Sequence, residues 1–405
     1  ALQPHLSHQT EGSAPSGPTC IRQTSWVEQM RGQRVVLCAP GFPLSSDDAD
    51  KPFLLDHAIA LAEAGLQVTV VSPAVSGAPS HQTIDGVKVH RVRYAPRRLE
   101  TLATTGSMYK EAAGIKALLV LPMIASMVFS AVRELRRGTT VAYGHWWIPG
   151  GVVAVIAAGL ARRPSFVHLH GSDSHVAQSK AMKFFARWVL RRADICLAVS
   201  QQLAEWGRAL SGREVSVLPM PLRVSSSSSL SSVSSNEFVL GVGRLVHEKG
   251  FDVLVEAVGA LDPPRRPKIV IIGVGPERQS LLHQAVALDV DLDLPGAVPP
   301  DQLRDWYSRA TIVAVPSRRE GFGLVAAEAA AAGRAVVGSA VGGIPEIVEN
   351  GVSGLIVEAD DVTALSRALL EVDPAWGARG PARVETLSPK RHGAFVRQLY
   401  DDVRR

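Results

Sequence analysis

Hydrophobic and polar residues alternate along the chain in blocks that predict strands and helices in turn. Residues 34–40 (RVVLCAP) form a short apolar run, residues 53–65 have a helical pattern, and residues 67–73 (QVTVVSP) form a second apolar run. A strand, a helix and a strand within about forty residues predict a βαβ unit with parallel strands. Gly65 suits the left-handed backbone on which helices commonly end.

The alternation continues after this unit. Apolar runs at 140–145, 165–171 and 194–200 predict strands, and helical patterns at 150–163 and 182–192 lie between them. The strand runs are almost continuous in Val, Ile and Leu. This composition is typical of a parallel sheet that helices cover on both faces.

A serine-dense segment at 223–236, RVSSSSSLSSVSSN, interrupts the alternation and predicts a linker between domains. Beyond it, strands are predicted at 238–244, 268–275, 311–317 and 334–340, with helices at 251–261, 278–288, 301–310 and 323–332. The pattern predicts an α/β protein with two doubly wound, Rossmann-like domains, residues 34–222 and 237–385. Ligands bind outside the carboxyl ends of the strands in such sheets, so two of them facing each other enclose a cleft.

Two further segments have no strand pattern. Residues 1–33 are polar, without an apolar run, and predict a disordered leader. The longest apolar stretch, residues 117–132, contains Pro122 and is shorter than a usual membrane span. It predicts a buried or amphipathic helix of the first domain. The alternative is a helix on a membrane surface, because Arg133, Arg136 and Arg137 follow it.

Composition excludes several classes of protein. With 46% hydrophobic and 20% charged residues, the 405-residue chain can bury two cores. The formal charge of +5 is small for this length, so it does not favour a nucleic-acid partner, although it suits an anionic ligand or a weak membrane contact. Cys20, Cys38 and Cys196 form no CxxC pair, which supports neither a disulfide framework nor a zinc site. We expect a cytoplasmic protein, with the inner face of the membrane as a peripheral alternative.

The most informative segment is PSRREGFGLVAAEAAAAGRAVVGSAVGGIPEIV, residues 316–348. A predicted strand ends at Ser317, and a glycine-containing loop leads into an alanine-rich helix. The N-terminus of such a helix presents unpaired N–H groups to a phosphate. Glu320 and Glu328 are eight positions apart and can face one bound molecule, where carboxylates accept hydrogen bonds from sugar or ribose hydroxyls. Alternatively, Glu328 only complements the helix dipole and Glu320 is solvated.

The string EGFGLVAAE resembles the paired-glutamate signature of the family 4 retaining glycosyltransferases, which have the GT-B fold. The similarity runs from residue 34 onward and is most specific at 311–361. It implies that Glu320 contacts the donor sugar and that Glu328 binds the ribose of the nucleotide. It also implies that backbone amides near four residues meet the sugar and the phosphates: Gly321, Phe322, Gly323 and Leu324.

A second segment, GVGRLVHEKGFDVLVEA at 241–257, places two cations where a predicted strand ends. Arg244 and Lys249 can pair with a diphosphate and neutralise charge on a leaving group; alternatively, both are surface cations. The segment resembles the family motif whose Arg and Lys bind the donor diphosphate. A dinucleotide-binding interpretation is weak, because Val246 stands where the third glycine is required.

Two more strand ends carry polar candidates. In YGHWWIPGG, residues 143–151, His145 matches the histidine that lies near the donor's reactive carbon in this family. The alternative is a histidine that satisfies buried backbone groups. The stretch VHLHGSD is similar to the family's H-G-x-D motif, so Asp173 either orients an acceptor hydroxyl or caps a helix.

The loop after the first strand departs from the family pattern. It contains Gly41 but no Gly-Gly pair, and Asp47, Asp48 and Asp50 stand there instead. This acidic run indicates either a cationic acceptor or simply a solvated loop. The acceptor-side candidates are therefore Gly41, Asp47, Asp48 and Asp173.

The resemblance implies a retaining transferase that moves a sugar from a nucleotide-diphosphate sugar, with UDP favoured, to a hydroxyl acceptor. It also implies that residues 386–405 form a helix that packs back toward the first domain. The resemblance also implies that no metal and no cofactor is needed, because enzymes of this architecture use Arg and Lys in place of a metal. The alternatives are a sugar-nucleotide epimerase of the same fold and a non-catalytic sugar-nucleotide binding protein.

Overall fold

The computed structural model describes residues 33–48, 50–102, 114–138, 140–223 and 238–403. Nearly all of the predicted leader and of the predicted serine-rich linker lies outside these residues. Two parallel-sheet α/β domains are present, as predicted, and each sheet has helices on both faces.

The first sheet has eight strands in the order β3-β4-β2-β1-β5-β6-β7-β8. All neighbours are parallel except β3 and β4, which form an antiparallel hairpin at one edge. The strands are β1 (Arg34–Cys38), β2 (Gln67–Pro73), β3 (His81–Ile84), β4 (Val87–Val92), β5 (Val141–His145), β6 (Ser165–Leu169), β7 (Ile195–Ala198) and β8 (Ser216–Val217). The helices are α1 (Pro52–Glu63), α2 (Val120–Arg136), α3 (Val152–Ala161), α4 (Asp173–Val176), α5 (Lys180–Arg192) and α6 (Gln201–Ser211).

Strand register shows which helices share a face of this sheet. Cys38 aligns with Gly144, Gly144 with Val167, and Val167 with Cys196, so these positions point to the same side. Cys38 packs in one core cluster with α2 and α3, and Val167 packs in another with α5. Helices α2, α3 and α5 therefore cover one face, while α1 packs against Val35 and Leu37 on the opposite face.

The second sheet has six parallel strands in the order β11-β10-β9-β12-β13-β14. They are β9 (Phe238–Val242), β10 (Lys268–Ile272), β11 (Leu292–Gly296), β12 (Ile312–Val315), β13 (Ala335–Ser339) and β14 (Gly354–Val357). The helices are α7 (Phe251–Gly259), α8 (Arg278–Ala287), α9 (Pro300–Arg309), α10 (Leu324–Ala331), α11 (Ile344–Ile347), α12 (Val362–Glu371), α13 (Gly380–Val384) and α14 (Pro389–Asp402).

Short irregular helices connect several of these elements. They are 3₁₀ turns at Arg97–Leu99, Gly114–Leu119, His247–Lys249, Pro263–Arg265, Pro374–Arg379 and Glu385–Leu387, and a wide turn at Trp146–Gly151.

Helix α14 lies against the first domain, although it follows the second in sequence. Its Gly393 packs closely on the backbone of Ala60 in α1. The Tyr400 hydroxyl donates to the carbonyl oxygen of Arg34 in β1 at 2.9 Å. The chain therefore crosses between the domains twice.

The carboxyl ends of the two sheets meet. A Cβ atom on Gly171, which follows β6, would lie 2.6 Å from the Cα atom of Gly321, which follows β12. Beside this contact, the Gly342 amide donates to the Gln202 side chain at 2.8 Å, and the Gln201 amide donates to Glu346 at 2.7 Å. The loops of both domains that were predicted to bind ligands thus face each other.

Candidate functional site

Backbone hydrogen bonds join the two signature loops of the second domain. The amides of Arg318 and Arg319, after β12, both donate to the carbonyl oxygen of Glu248, after β9, at 3.0 and 3.3 Å. Parallel strands β9 and β12 are neighbours, so their carboxyl ends lie side by side. The two segments that resemble the family motifs therefore form one surface.

Arg318 holds this surface in place through its guanidinium group. Its guanidinium makes two 2.7 Å bonds to the carboxylate of Asp252 in α7 and a 2.5 Å bond to Asp360. Burial acts to raise the pKa of Asp252, but the Arg318 guanidinium outweighs it and holds that pKa below its usual range. A two-pronged arginine–carboxylate pair of this kind fixes geometry as well as charge.

Lys249 and Glu320 form an ion pair on this surface. The Lys249 ammonium donates to Glu320 Oε2 at 2.6 Å, and both side chains are mostly buried. The Ser317 hydroxyl and the Gly321 amide also approach the Glu320 carboxylate, at 3.4 and 3.1 Å. Arg244, the third charged candidate here, is exposed at the end of β9. The cation and carboxylate predicted to handle the diphosphate and the sugar are thus direct neighbours.

The N-terminus of α10 opens beside this pair. Gly323 occupies the N-cap position with a φ of 95°, and no side chain caps the first turn. That backbone conformation strains any residue with a Cβ atom, so glycine is required. The Phe322 side chain is buried in the core and leaves only its backbone for a ligand. Uncapped amides with the positive end of the helix dipole form a ready anion site.

Glu328 has a defined partner that the sequence did not indicate. Its Oε2 accepts a 2.7 Å hydrogen bond from the buried hydroxyl of Tyr307. Burial raises the pKa of Glu328, the Tyr307 hydroxyl lowers it, and Asp56 of the first domain raises it again. The Asp56 carboxylate is itself paired with Arg223 at 3.0 Å. The pKa of Glu328 therefore depends on groups from both domains.

His145 lies in a buried cluster of aromatic rings and has an exposed fraction of 1%. Its Nδ1 is 3.0 Å from His170 Nε2, and its ring packs edge-on against His57. Burial lowers the pKa of His145 well below its usual range, so the ring is neutral at pH 7. In this arrangement the His145 side chain lies beneath the site surface, and its predicted contact with the donor stays a prediction.

Three of these rings could hold a metal ion. One nitrogen each of His145, His168 and His170 lies within 4.8 Å of the others, and all three side chains are buried. Both nitrogens of His168 already have partners, the Tyr143 hydroxyl at 2.9 Å and the Leu218 carbonyl at 2.8 Å. A metal would therefore have to displace the hydrogen bonds that position His168.

Asp173 supports the backbone below the site. One carboxylate oxygen accepts from the Trp147 amide at 2.7 Å, and the other accepts from the His170 amide. Burial raises the pKa of Asp173 to about 8, and these two hydrogen bonds act to lower it. Asp173 stands in the first turn of α4, where Ser172 holds the N-cap position. Both carboxylate oxygens thus join the ends of β5 and β6, and the predicted contact of Asp173 with an acceptor hydroxyl stays a prediction.

The loop after β1 is held by its own side chains. Gly41 is buried, and Asp47 is exposed. The Asp48 carboxylate accepts from the amides of Leu44 and Asp50 at 2.7 and 2.9 Å. Asp48 therefore closes a turn, and Asp47 is the aspartate of this pair that an acceptor could reach.

Sequence reasoning missed several residues that shape the site. Asp56 had one usable signal, since it interrupts the apolar run of the first turns of α1. The Gly342–Gly343 pair had another: the Gly343 amide donates to the Gly321 carbonyl at 3.1 Å and closes the loop around the glutamate. The partnerships of Tyr307 and Arg318 join distant segments and had no local signal.

Two family models match the chain. One is described as "Glycosyl transferase 4-like domain" and matches residues 52–223, and the other as "Glycosyl transferases group 1" and matches residues 226–372. A D-inositol 3-phosphate glycosyltransferase of Nocardiopsis dassonvillei is 30% identical over 373 residues, which cover 81% of this chain and 82% of that protein. The putative teichuronic acid biosynthesis glycosyltransferase TuaC of Bacillus subtilis is 30% identical over 260 residues, 61% of this chain and 64% of TuaC. The matched part of the chain thus spans less than two thirds of TuaC.

Solved structures share the fold. Sucrose-phosphate synthase from Thermosynechococcus elongatus has a TM-score of 0.74 at 20% identity, covering 92% of this chain and 99% of that one. HepE of Anabaena, solved with UDP, has a TM-score of 0.69 at 21% identity, covering 91% and 100%. These likenesses confirm the predicted GT-B arrangement of two Rossmann-like domains. The similarity over most of the Nocardiopsis protein and the two domain matches show that this chain belongs to the family 4-like, group 1 glycosyltransferases.

Proposed function

We propose that the chain transfers a sugar from a nucleoside diphosphate sugar to a hydroxyl group of an acceptor, with retention of anomeric configuration. The observation that carries this proposal is the Lys249–Glu320 pair beside the uncapped N-terminus of α10, where the two sheets meet. A cation, a carboxylate and free amides at one point suit the charge and the hydroxyls of such a donor. HepE binds UDP and UDP-glucose, which supports a uridine donor here.

Each charged group has a separate task in this proposal. Arg244, Lys249 and the α10 amides stabilise the diphosphate as the bond between the anomeric carbon and phosphate oxygen breaks. The acceptor oxygen bonds to that carbon from the same face, and its proton passes to the departing phosphate. Glu320 positions the sugar, and Glu328 accepts hydrogen bonds from the ribose.

We propose that the protein acts in the cytoplasm. Neither a metal nor a cofactor takes part in the proposed reaction. Lys249 and Arg244 supply the positive charge that a divalent ion supplies in other transferases. The histidine group of His145, His168 and His170 serves to position backbone and rings.

The test is nucleotide release from UDP-, GDP- and ADP-sugars, with and without a chelator. We expect nucleotide release from one of these donors. This release should need an acceptor and should be unaffected by the chelator. Its rate should fall by roughly 10² to 10³ in Glu320→Gln. The matched control, Glu371→Gln, removes an exposed carboxylate at the end of α12 and should retain full activity.

Three other results would contradict the proposal. A change in the donor sugar without acceptor indicates an epimerase, and donor binding without turnover indicates a binding protein. Loss of activity with the chelator that added metal restores would overturn metal independence.

A further inference from the structure

The outer surface of α2 is apolar, although it faces solvent. Leu118, Leu121 and Phe129 recur along one side of this segment with exposed fractions of 72%, 75% and 73%. The opposite side, with Met123 and Met127, is fully buried against the sheet. A surface helix ordinarily has a polar outer stripe. Helix α2 is apolar on both sides, and only one side has a partner among the described residues.

The apolar surface continues on the neighbouring helices of the same sheet face. Leu160 at the end of α3 is exposed, and so are Phe184 and Phe185 in α5, whose rings lie 5.8 Å apart. Together with the three side chains on and before α2, these make up six of the twelve large apolar side chains that are exposed in the described part of the chain. A single sheet face therefore carries half of them.

The same face is strongly basic. Its exposed cations on or directly after α2, α3 and α5 include Arg133, Arg136, Arg162, Arg163, Lys180, Lys183, Arg187 and Arg192. Within the three helices, Glu134 is the only acidic residue. We call the six apolar side chains and these cations the basic–apolar face.

We propose that the basic–apolar face docks the protein on the surface of an anionic membrane. Leucine and phenylalanine side chains enter the boundary between headgroups and acyl chains, while Lys and Arg pair with anionic headgroups. A second copy of the chain is disfavoured as the occupant, because it would bring two basic surfaces together.

Helix α2 docks on the membrane but does not span it. The segment Lys116–Arg136 has the length and the mean hydropathy, 1.7, of a membrane-crossing helix. However, Met123, Met127 and Leu135 have no exposed surface, because they fill the core between α2, α3 and the sheet. Pulling α2 into a bilayer would empty that core, at a cost of roughly 2–5 kcal/mol for each large side chain removed.

Docking also orients the site. Helices that connect parallel strands run antiparallel to them, so the first turns of α2 and α5 lie at the carboxyl edge of the sheet. Leu118, Leu121 and Phe184 are in or beside these first turns, and Gly171 contacts the second domain at the same edge. A membrane bound to this face lies close to the opening between the domains.

Flotation of the full chain with vesicles tests the proposal without donor or acceptor, so the result is independent of catalysis. We expect binding to phosphatidylglycerol-containing vesicles, weak binding to pure phosphatidylcholine, and weakening by salt. Leu121→Gln/Phe129→Gln and Phe184→Gln/Phe185→Gln should each weaken binding at least tenfold. Arg133→Gln/Arg136→Gln should weaken it about 30-fold, since each cation near the surface contributes about 1 kcal/mol.

Matched double variants on the second domain serve as controls. Val274→Gln/Val286→Gln and Arg278→Gln/Arg304→Gln change exposed residues of the same kinds and should bind as the wild type does. The proposal is wrong if the wild type fails to float with anionic vesicles, if the controls lose binding equally, or if the face variants retain it. Dimerisation that depends on Phe184 and Phe185, without vesicle binding, would identify a protein interface instead.

Discussion

Lys249 donates a 2.6 Å hydrogen bond to Glu320, so the cation proposed to bind the diphosphate and the carboxylate proposed to position the sugar are joined before a donor arrives. A donor that engages both must replace this ion pair with its own contacts. Removing either partner leaves the other charge partly buried and unpaired, although bound donor can compensate.

The two substitutions should therefore differ in kinetics. Lys249→Met removes positive charge from the diphosphate site and should raise the donor KM and lower kcat. Glu320→Gln frees Lys249 for the diphosphate, so kcat should fall by roughly 10² to 10³ while the donor KM stays level or decreases. Steady-state kinetics check both, and an equal rise of KM in the two variants would contradict the assignment.

Tyr307→Phe should change the pH dependence of donor binding. The Tyr307 hydroxyl lowers the pKa of Glu328, so its loss raises that pKa further. Because the proposed ribose contact needs the ionised carboxylate, donor affinity in the variant should decline at a higher pH as the solution is acidified. Donor KM measured from pH 5 to 8 gives the shift. Tyr94→Phe, which removes a hydroxyl bonded to the Leu102 amide, is the control and should show none.

Gly171→Ala should separate the two domains. The added Cβ atom would lie 2.6 Å from the Cα atom of Gly321, so the loops must move apart, at a cost of about 1–3 kcal/mol. We expect a larger radius of gyration in solution scattering and a higher donor KM. Gly159→Ala is the control, because no atom lies within 4 Å of its added Cβ. An unchanged radius and KM in the first variant would show that the domains are apart in solution.

Acid should destabilise the fold through the buried histidines. Burial lowers the pKa of His168 to about 3 and of His392 to about 4, below the unfolded value of about 6.5. The unfolded chain then binds more protons, so stability is full above pH 6.5 and is lost as the pH falls toward 4. For His392 alone, the free energy of unfolding should decrease by roughly 3 kcal/mol.

Urea unfolding at pH 7.5, 6 and 5 measures this loss. His392→Gln should reduce the pH dependence, whereas the exposed His283→Gln should leave it unchanged. A midpoint that does not move between pH 7.5 and 5 would contradict the interpretation.

Sequence patterns predicted the buried strands of both sheets but not the edges. The hairpin of β3 and β4 was missed, although Asp85-Gly86 is a sequence typical of tight hairpin turns. In the structure these two residues have the positive φ angles that such a turn requires, 45° and 82°. Strands β8, β11 and β14, which form the other edges of the two sheets, were missed as well. Short edge strands take their conformation from their neighbour, which a local pattern does not contain.

The candidate site shows the same limit. Local motifs indicated Lys249, Glu320 and Gly323 because the glycines and charges are close in sequence. The cluster around His145 could not be foreseen, since it depends on the contact between His57 and His392, 335 positions apart, at 2.7 Å. Tertiary contact, and not local sequence, sets the burial and charge of these rings.

The position of α14 has a consequence for biosynthesis. The ribosome releases β1 and α1 early, yet the surface of α1 around Ala60 is covered only when residues 389–402 have been made. During translation the first domain must therefore persist with an apolar strip and part of its histidine cluster uncovered. Such exposed surface attracts chaperones and promotes aggregation, so the first domain should be most vulnerable just before α14 emerges.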